Sequence, residues 1–310
     1  MRVLVTGATG FVGTAMVERL VRDGRYVTRA AVRRADNLAV PNVEVEMGDL
    51  APGTNWTPAL ADVTAVVHLA ARVHIMRETD ANPIDAFRRT NVVGTLELAR
   101  QAADSGVKRF VYLSSIKVNG ESGTYTESDS PRPEDAYGIS KLEAEEGLRE
   151  LAARTGMAVV TVRPPLVYGP GVRANFRALT KAIGSGIPLP LGAIHNRRSL
   201  IGLDNLVDFI LLCVEQPDAA NETFMVSDGE DLSTTTLVRR LAHAMGRPAR
   251  LIPVPVPLLM AAATLLGRRD VARRLVGTLC VDITKARQRL GWVPPISMDE
   301  ELRRTAASLI

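Results

Sequence analysis

Residues 1–13 read MRVLVTGATGFVG: a short apolar run, a turn carrying Gly7, Gly10 and Gly13, and then the helix-forming segment TAMVERLVRDG. Residues 3–6 fit a short buried strand, and the glycines supply the tight turn that feeds a strand directly into a helix. Outward from this unit the alternation repeats. Apolar runs at 27–32, 43–47, 65–69, 110–113 and 158–162 are each followed by turn or helix signals. Strands alternating with helices predict an α/β fold, a doubly wound parallel sheet covered by helices on both faces. After Arg163 the chain changes character, with RPPLVYGPGVRANF and GSGIPLPLGAIHNRRS rich in Pro and Gly. This predicts a first domain over residues 1–165, which also receives parts of about 200–228, and a smaller C-terminal lobe over 166–310.

A chain of 310 residues, 46% hydrophobic, can bury a large core. Its net charge is only +4, and Arg-Arg pairs such as Arg33-Arg34, Arg88-Arg89 and Arg239-Arg240 are spread along it. Nucleic acid is therefore not an expected partner, since phosphate backbones need concentrated charge. Cys213 and Cys280 lie in apolar surroundings and read as small buried hydrophobes. His68 closes a strand, and His74, His195 and His243 stand alone. No His, Cys or carboxylate group has ligand spacing, so no metal is expected. The apolar start is too short for a leader, which makes a reduced, cytoplasmic protein the expectation. Residues 251–267 are the most apolar segment, but three prolines and their length argue against a membrane span. The run PLLMAAATLLGRRDVARR fits a helix with an arginine-rich end, lying on a membrane or against another subunit. A core or interface helix is the preferred reading.

Two clusters carry chemistry. The first is the G-x-x-G-x-x-G turn, which allows a dinucleotide's pyrophosphate to approach a helix N-terminus. A plain strand-to-helix turn needs similar residues; its position at the first strand favours the ligand. An acid at the end of the second strand would bind the 2′-hydroxyl of NAD. Here the strand ends AAVRR, so Arg33 and Arg34 suit the 2′-phosphate of NADP, unless they are simply surface arginines. The second cluster is AYGISK, residues 136–141, where Tyr137 and Lys141 head a helical stripe continued by Ala144, Leu148, Leu151 and Ala152. That spacing points both inward, with Asp135 available as a cap. An ammonium beside a phenol lowers its pKa from about 10 towards neutrality, where it exchanges protons in catalysis. A packed Tyr with an outward Lys is the structural alternative. Ser114 and Ser115, just beyond the fifth strand, place hydroxyls at the strand edge where ligands bind in doubly wound folds.

TGATGFVG, GDL at 48–50, HLAA at 68–71, NVVGT at 91–95, LSS at 113–115 and YGISK at 137–141 arrive in one order over nearly the whole chain. Together they resemble the extended short-chain dehydrogenase/reductase family, and more narrowly its nucleotide-sugar epimerases and 4-ketoreductases. That resemblance implies a Rossmann sheet with a smaller C-terminal substrate lobe. It implies Ser115, Tyr137 and Lys141 as catalytic residues. Cofactor contacts would come from Gly7, Gly10, Phe11, Val12, Gly13 and Arg33, from Asp49 and Leu50 at the adenine, and from Leu69, Ala70, Ala71 and Asn91. Tyr137, Lys141, Pro164 and Pro165 would lie by the nicotinamide. Asn175 and Arg198, with Ser115, would hold a UDP-sugar. The resemblance further implies a homodimer through helices equivalent to 90–104 and 141–154. The family's usual Arg-x-Gly-Asp is replaced by RRLVGTL, which leaves Arg274 without an assigned role.

Family members that remove water across C5 and C6 resemble one another in carrying Asp-Glu after the catalytic hydroxyl residue. This chain has Ile116-Lys117, which cannot perform those two proton transfers, so a 4,6-dehydratase is excluded. Two outcomes then share one transition state. Arg33-Arg34 tilt the expectation to an NADP-dependent reductase of a UDP-4-keto-6-deoxyhexose or its amine, for surface polysaccharide. SSIKVNGE and NRRSLIGLDNLVD likewise resemble enzymes that form UDP-N-acetylquinovosamine. The alternative is a UDP-glucose or UDP-N-acetylglucosamine 4-epimerase with retained NAD. A non-catalytic dinucleotide sensor is the alternative of another class, although such proteins are expected to lose the Tyr-Lys pair.

Overall fold

The computed structural model describes residues 1–34, 40–73, 82–172 and 175–309, the side chain of Asn175 excepted. His74 falls outside the described residues.

Among the described residues twelve strands form: β1 (Arg2–Thr6), β2 (Val27–Val32), β3 (Glu44–Met47), β4 (Ala65–His68), β5 (Arg109–Leu113), β6 (Gly123–Tyr125), β7 (Ala158–Arg163), β8 (Leu166–Tyr168), β9 (Arg198–Gly202), β10 (Thr223–Met225), β11 (Asp231–Leu232) and β12 (Leu279–Val281). The six strands expected from sequence are all present, each within one residue of its expected ends. Seven strands make a parallel sheet in the order β10-β7-β5-β4-β1-β2-β3. The central strands β1 and β4 are apolar along their middles, Val3 to Val5 and Ala65 to Val67, because helices cover both faces of the sheet.

The helices are α1 (Phe11–Asp23), α2 (Thr57–Leu60), α3 (Pro83–Phe87), α4 (Thr95–Asp104), α5 (Ala136–Thr155), α6 (Asn175–Gly184), α7 (Leu203–Glu215), α8 (Thr234–Ala244), α9 (Val256–Leu265), α10 (Arg269–Val276), α11 (Thr284–Leu290) and α12 (Met298–Ala307). Met16, Val17 and Leu20 of α1 and the apolar face of α7 bury one side of the sheet. Leu98 and Ala102 of α4 with Ala144 and Leu148 of α5 bury the other. All seven strands run the same way, but their chain order reverses between β1 and β4, and the carboxyl edge at such a reversal is where doubly wound folds bind ligands.

A second sheet runs β11-β9-β12-β6, with β8 paired to β9. It draws β6 from the first half of the chain and the rest from the second. A third apolar cluster lies beneath it, around Phe176, Leu200, Leu241 and Leu302.

Two expectations need correction. Residues 90–104 are not one α-helix: 88–94 wind as a π-helix before α4 begins. The apolar run after residue 251 is not a core helix either. It splits into α9 and α10 around Leu266 to Arg268, and no residue of α9 is buried. Only its inner edge, Val256 and Leu259, touches the third cluster. Both cysteines are buried and unpaired, as their apolar surroundings indicated.

Candidate active site

Gly7 leaves β1 with φ +69°, a conformation costly for any residue bearing a Cβ. A Cβ there would also stand 2.6 Å from the backbone nitrogen of Ala70, and one on Gly13 would stand 2.0 Å from the carbonyl oxygen of Gly7. The turn and the first turn of α1 are therefore pressed together against the loop leaving β4. Gly10 caps α1 without a side-chain hydrogen bond, so the N–H groups of Phe11, Val12 and Gly13 head the helix without a side-chain cap. Such a terminus attracts anions. The cradle fits a dinucleotide's pyrophosphate, because its glycines bring no side chain to it and the N–H groups at the head of α1 have no side-chain cap.

Leu69, Ala70 and Ala71 form the opposing wall, each half-buried. They are held by Thr6, whose carbonyl accepts from Leu69 N at 3.3 Å and whose Oγ1 accepts from Ala70 N at 3.4 Å. Thr6 Oγ1 also lies 2.7 Å from His68 Nδ1, and His68 Nε2 lies 2.9 Å from Thr95 Oγ1. Burial, with Lys141 nearby, holds the His68 imidazole down at about 3, so it is a neutral link within the sheet. At the adenosine end, Arg33 and Arg34 are exposed directly after β2. Leu50 is buried and Asp49 exposed, its Oδ1 accepting from Leu50 N at 2.9 Å.

Asn91 sits in the π-helix, buried to 1% exposure. Its Oδ1 accepts from Arg72 N at 2.7 Å, and its Nδ2 donates to Arg72 O and to Ser140 Oγ, both at 3.0 Å. One side chain thus joins the loop after β4 to the helix bearing Tyr137. The extra residue per turn of a π-helix turns the asparagine inward, a use common at functional sites.

Asp135 caps α5, accepting from Gly138 N at 2.7 Å, as the sequence indicated. A Cβ on Gly138 would stand 2.7 Å from Lys117 O, so the first turn of α5 packs directly on the 3₁₀ turn Ile116–Val118. Ser115 caps that turn, its Oγ accepting from Lys117 N at 3.3 Å. Lys117 Nζ donates to Asp135 at 2.5 Å and to Glu121 at 2.7 Å, lashing the two segments together. Tyr137 and Ser115 thereby share one corner at the carboxyl edge of β5. The two serines differ: Ser115 is half-exposed, whereas Ser114 is buried and donates to Glu145.

Lys141 is buried, and its Nζ donates to Leu113 O at 2.8 Å. It lies 4.5 Å from the ring centre of Tyr112 and 5.8 Å from that of Tyr137. The inward-facing pair is present, but the expected tuning of the phenol is not. Burial, reinforced by Asp135, pushes the Tyr137 phenol above its ordinary value. Burial also lowers the Lys141 amine to about 7, against the opposing pull of Glu145. The ammonium spends its hydrogen bond on a backbone carbonyl and its field on Tyr112, so desolvation outweighs its effect on the phenol. Phe87 meets the Tyr137 ring edge-on at 6.2 Å between centroids.

Glu145 and Arg163 were not found from sequence. The two form a buried ion pair, in which Arg163 Nε donates to Glu145 Oε1 at 3.0 Å and Arg163 Nη1 to Asn119 Oδ1 at 2.9 Å. The available signal was the four-residue step from Lys141 to Glu145 on one helix face. Pro164 and Pro165 follow Arg163 and are buried; Pro164 O accepts from Ile116 N at 3.0 Å. In the other lobe, Arg198 opens β9 and its Nη1 donates to Arg274 O at 2.6 Å and Gly277 O at 3.2 Å. Burial lowers its pKa. Arg274 itself is exposed, and Asn175 lies outside the described side chains.

The family pattern described as NAD dependent epimerase/dehydratase matches residues 3–227. The UDP-glucose 4-epimerase of Vibrio cholerae is 46% identical over 314 residues, covering 99% of this chain and 95% of that one. Among solved structures, the UDP-glucose 4-epimerase of Thermotoga maritima with UDP-glucose aligns with a TM-score of 0.78 at 25% identity, covering 99% of this chain and 98% of that one. A double mutant of DesIV, the dTDP-glucose 4,6-dehydratase of Streptomyces venezuelae, solved with NAD, aligns with a TM-score of 0.78 at 26% identity, covering 99% and 96%. With the cradle after β1, the crevice beside β4 and this match over most of its length, the chain belongs to the NAD-dependent epimerase/dehydratase family of enzymes, within the short-chain dehydrogenase/reductase superfamily.

Proposed function

We propose that the protein is a UDP-hexose 4-epimerase that retains NAD through its cycle, acting on UDP-glucose or UDP-N-acetylglucosamine. The observation that carries this reading is the 46% identity with the Vibrio cholerae UDP-glucose 4-epimerase across practically the entire chain. It displaces the NADP-dependent reductase as the preferred outcome, because the argument for that reaction rested on Arg33 and Arg34 and on two short stretches of likeness, whereas this identity spans 99% of the chain. The residues after Ser115 argue separately against a dehydratase. Ile116 is buried and the Lys117 ammonium is paired with two carboxylates, so neither supplies the acid and base of a dehydratase.

In this reading the cradle formed by Gly7, Gly10 and Gly13 and the head of α1 hold the pyrophosphate, Asp49 and Leu50 border the adenine, and Leu69 to Ala71 with Asn91 wall the crevice. Pro164 and Pro165 close its nicotinamide end. Bound there, NAD supplies a hydride acceptor and donor at C4 of the sugar. Ser115 Oγ orients the C4 oxygen; Tyr137, whose buried phenol must first lose its own proton, takes the C4 hydroxyl proton as the phenolate and returns it once the sugar presents its other face. Lys141, whose Nζ lies 5.8 Å from the Tyr137 ring centre, is the cation placed to favour that phenolate whenever its amine is protonated. Arg198 and Asn175 border the nucleotide in the C-terminal lobe, which we take as the substrate lobe over 166–310, the first domain being 1–165 with parts of about 200–228. A homodimer through α4 and α5 completes the proposal.

The test is incubation with UDP-glucose and UDP-N-acetylglucosamine while the C4 isomer is followed by NMR and cofactor absorbance is recorded. The expected result is isomer without net cofactor consumption, with turnover reduced about 10²–10⁴-fold in Tyr137→Phe. NADPH consumed in step with a 4-keto sugar would make the protein the reductase, and unchanged turnover in Tyr137→Phe would reject the proposed acid.

A further inference from the structure

α9 carries no charged residue, VPLLMAAATL, and a helix apolar on every side belongs in an interior. It is not in one. Leu258, Ala261, Ala262 and Leu265, spaced as one helical stripe, all face solvent, and the turn that follows adds Leu266. Exposures of 62% at Leu258, 88% at Leu265 and 73% at Leu266 show that this is a contiguous outer face and not a scatter of single residues. The opposite face is anchored. Val256 and Leu259 of α9 and Leu275 and Val276 of α10 pack on the third cluster, and Ala272 is buried. The pair is held as a rigid projection, its connection closed by Arg268 N to Ala263 O at 2.7 Å.

What covers the stripe is indicated by its rim. Arg268 and Arg269 follow the apolar turn directly, Arg273 and Arg274 lie one helical turn further, and all four are exposed. From residue 247 to 276 there are six arginines and one acid, Asp270, a larger positive excess than the +4 of the whole chain. Leucines that enter the acyl boundary beside arginines that meet phosphates describe an interfacial element. A second copy docked by a two-fold axis would set this arginine-rich surface against itself, which like charges oppose. No helix among the described residues is long and apolar enough to cross a membrane, so the contact is superficial.

We propose that the outer face of α9 and the arginines of α10 dock the protein on an anionic membrane surface. This does not rest on the reaction assigned above. It places the second sheet beside the bilayer, because Arg198 of β9 is bonded to the carbonyls that end α10.

The full chain is floated with vesicles of phosphatidylglycerol and phosphatidylcholine, and with phosphatidylcholine alone, at low and high salt. Binding to the anionic vesicles that weakens with salt is expected. Leu258→Asp with Leu265→Asp should lower the partition at least tenfold while leaving the unfolding midpoint unchanged. Arg268→Gln with Arg269→Gln should lower it by roughly fivefold per arginine. Failure to bind anionic vesicles at low salt would overturn the proposal, as would undiminished binding by the leucine variant. A change of oligomeric state in that variant, read by light scattering without lipid, would also overturn it and make the face a subunit contact.

Discussion

Two helices each bury one glutamate completely, and they hold it in opposite ways. Glu145 of α5, under the candidate active site, is bonded to Arg163 and Ser114. Glu301 of α12, under the second sheet, has no side-chain partner among the described residues, and only the Asn205 backbone N–H faces its carboxylate. Burial, with Asp204 and Asp228 close by, raises its pKa to about 7. The same side chain is therefore a paired anion in one lobe and an acid that favours its neutral form in the other. A buried carboxylate cannot be assigned a role from its residue type; its partners decide the sign of its contribution.

Removing the charge should reverse in effect between the two sites. Glu145→Gln leaves the Arg163 guanidinium buried without its counter-charge, and an unfolding free energy lower by about 3–5 kcal/mol is expected. Chemical denaturation reads this as a fall in midpoint, and a loss below 1 kcal/mol would break the contrast. Glu301→Gln should do the reverse. A folded pKa raised from 4.5 to about 7 means that the folded chain holds its proton more tightly. Its stabilising contribution is complete below pH 4.5 and lost as pH rises through 7. Relative to its own stability at pH 4.5, the parent should therefore lose up to about 3 kcal/mol by pH 8 that the glutamine variant keeps. Thermal unfolding at both pH values measures this, and parallel pH profiles for the two proteins would refute it.

The smallest effect sharpens the comparison within the first lobe. Lys117 pairs with Asp135 and Glu121 while about a third exposed, so Lys117→Met should cost less than about 1 kcal/mol. Because Asp135 caps the helix that presents Tyr137, turnover should fall by more than stability does. Equal losses in both would make the tie merely structural.

Much of the first lobe was legible. The glycine turn, the strand ends and the Asp135 cap are set by residues within a few positions of one another, and periodicity of two or 3.6 reports them directly. The helical stripe correctly turned Tyr137 and Lys141 inward. It was silent about how strongly each would be desolvated, and so the expected direction of the phenol's pKa was wrong. Asn91 was placed beside the cofactor by likeness alone; its inward turn had no signal of its own, because a single π-helical segment has no compositional mark. Preference for Ser115 over Ser114 rested on likeness alone; the structure separates the two by what each touches.

By itself, then, the sequence determined the order of strands and helices, the cradle at the head of α1 and the inward pairing on α5, since local spacing and backbone geometry suffice for these. Only the tertiary structure decided that Glu145 meets Arg163 while Glu301 meets no cation within bonding reach among the described residues, that Arg198 closes on the end of α10, and that the most apolar helix lies outside. Those outcomes depend on partners brought together from 18 or more positions away, such as Glu145 and Arg163, and on how much water their packing leaves. Desolvation and pairing are properties of the assembled surroundings, which no run of neighbouring residues encodes.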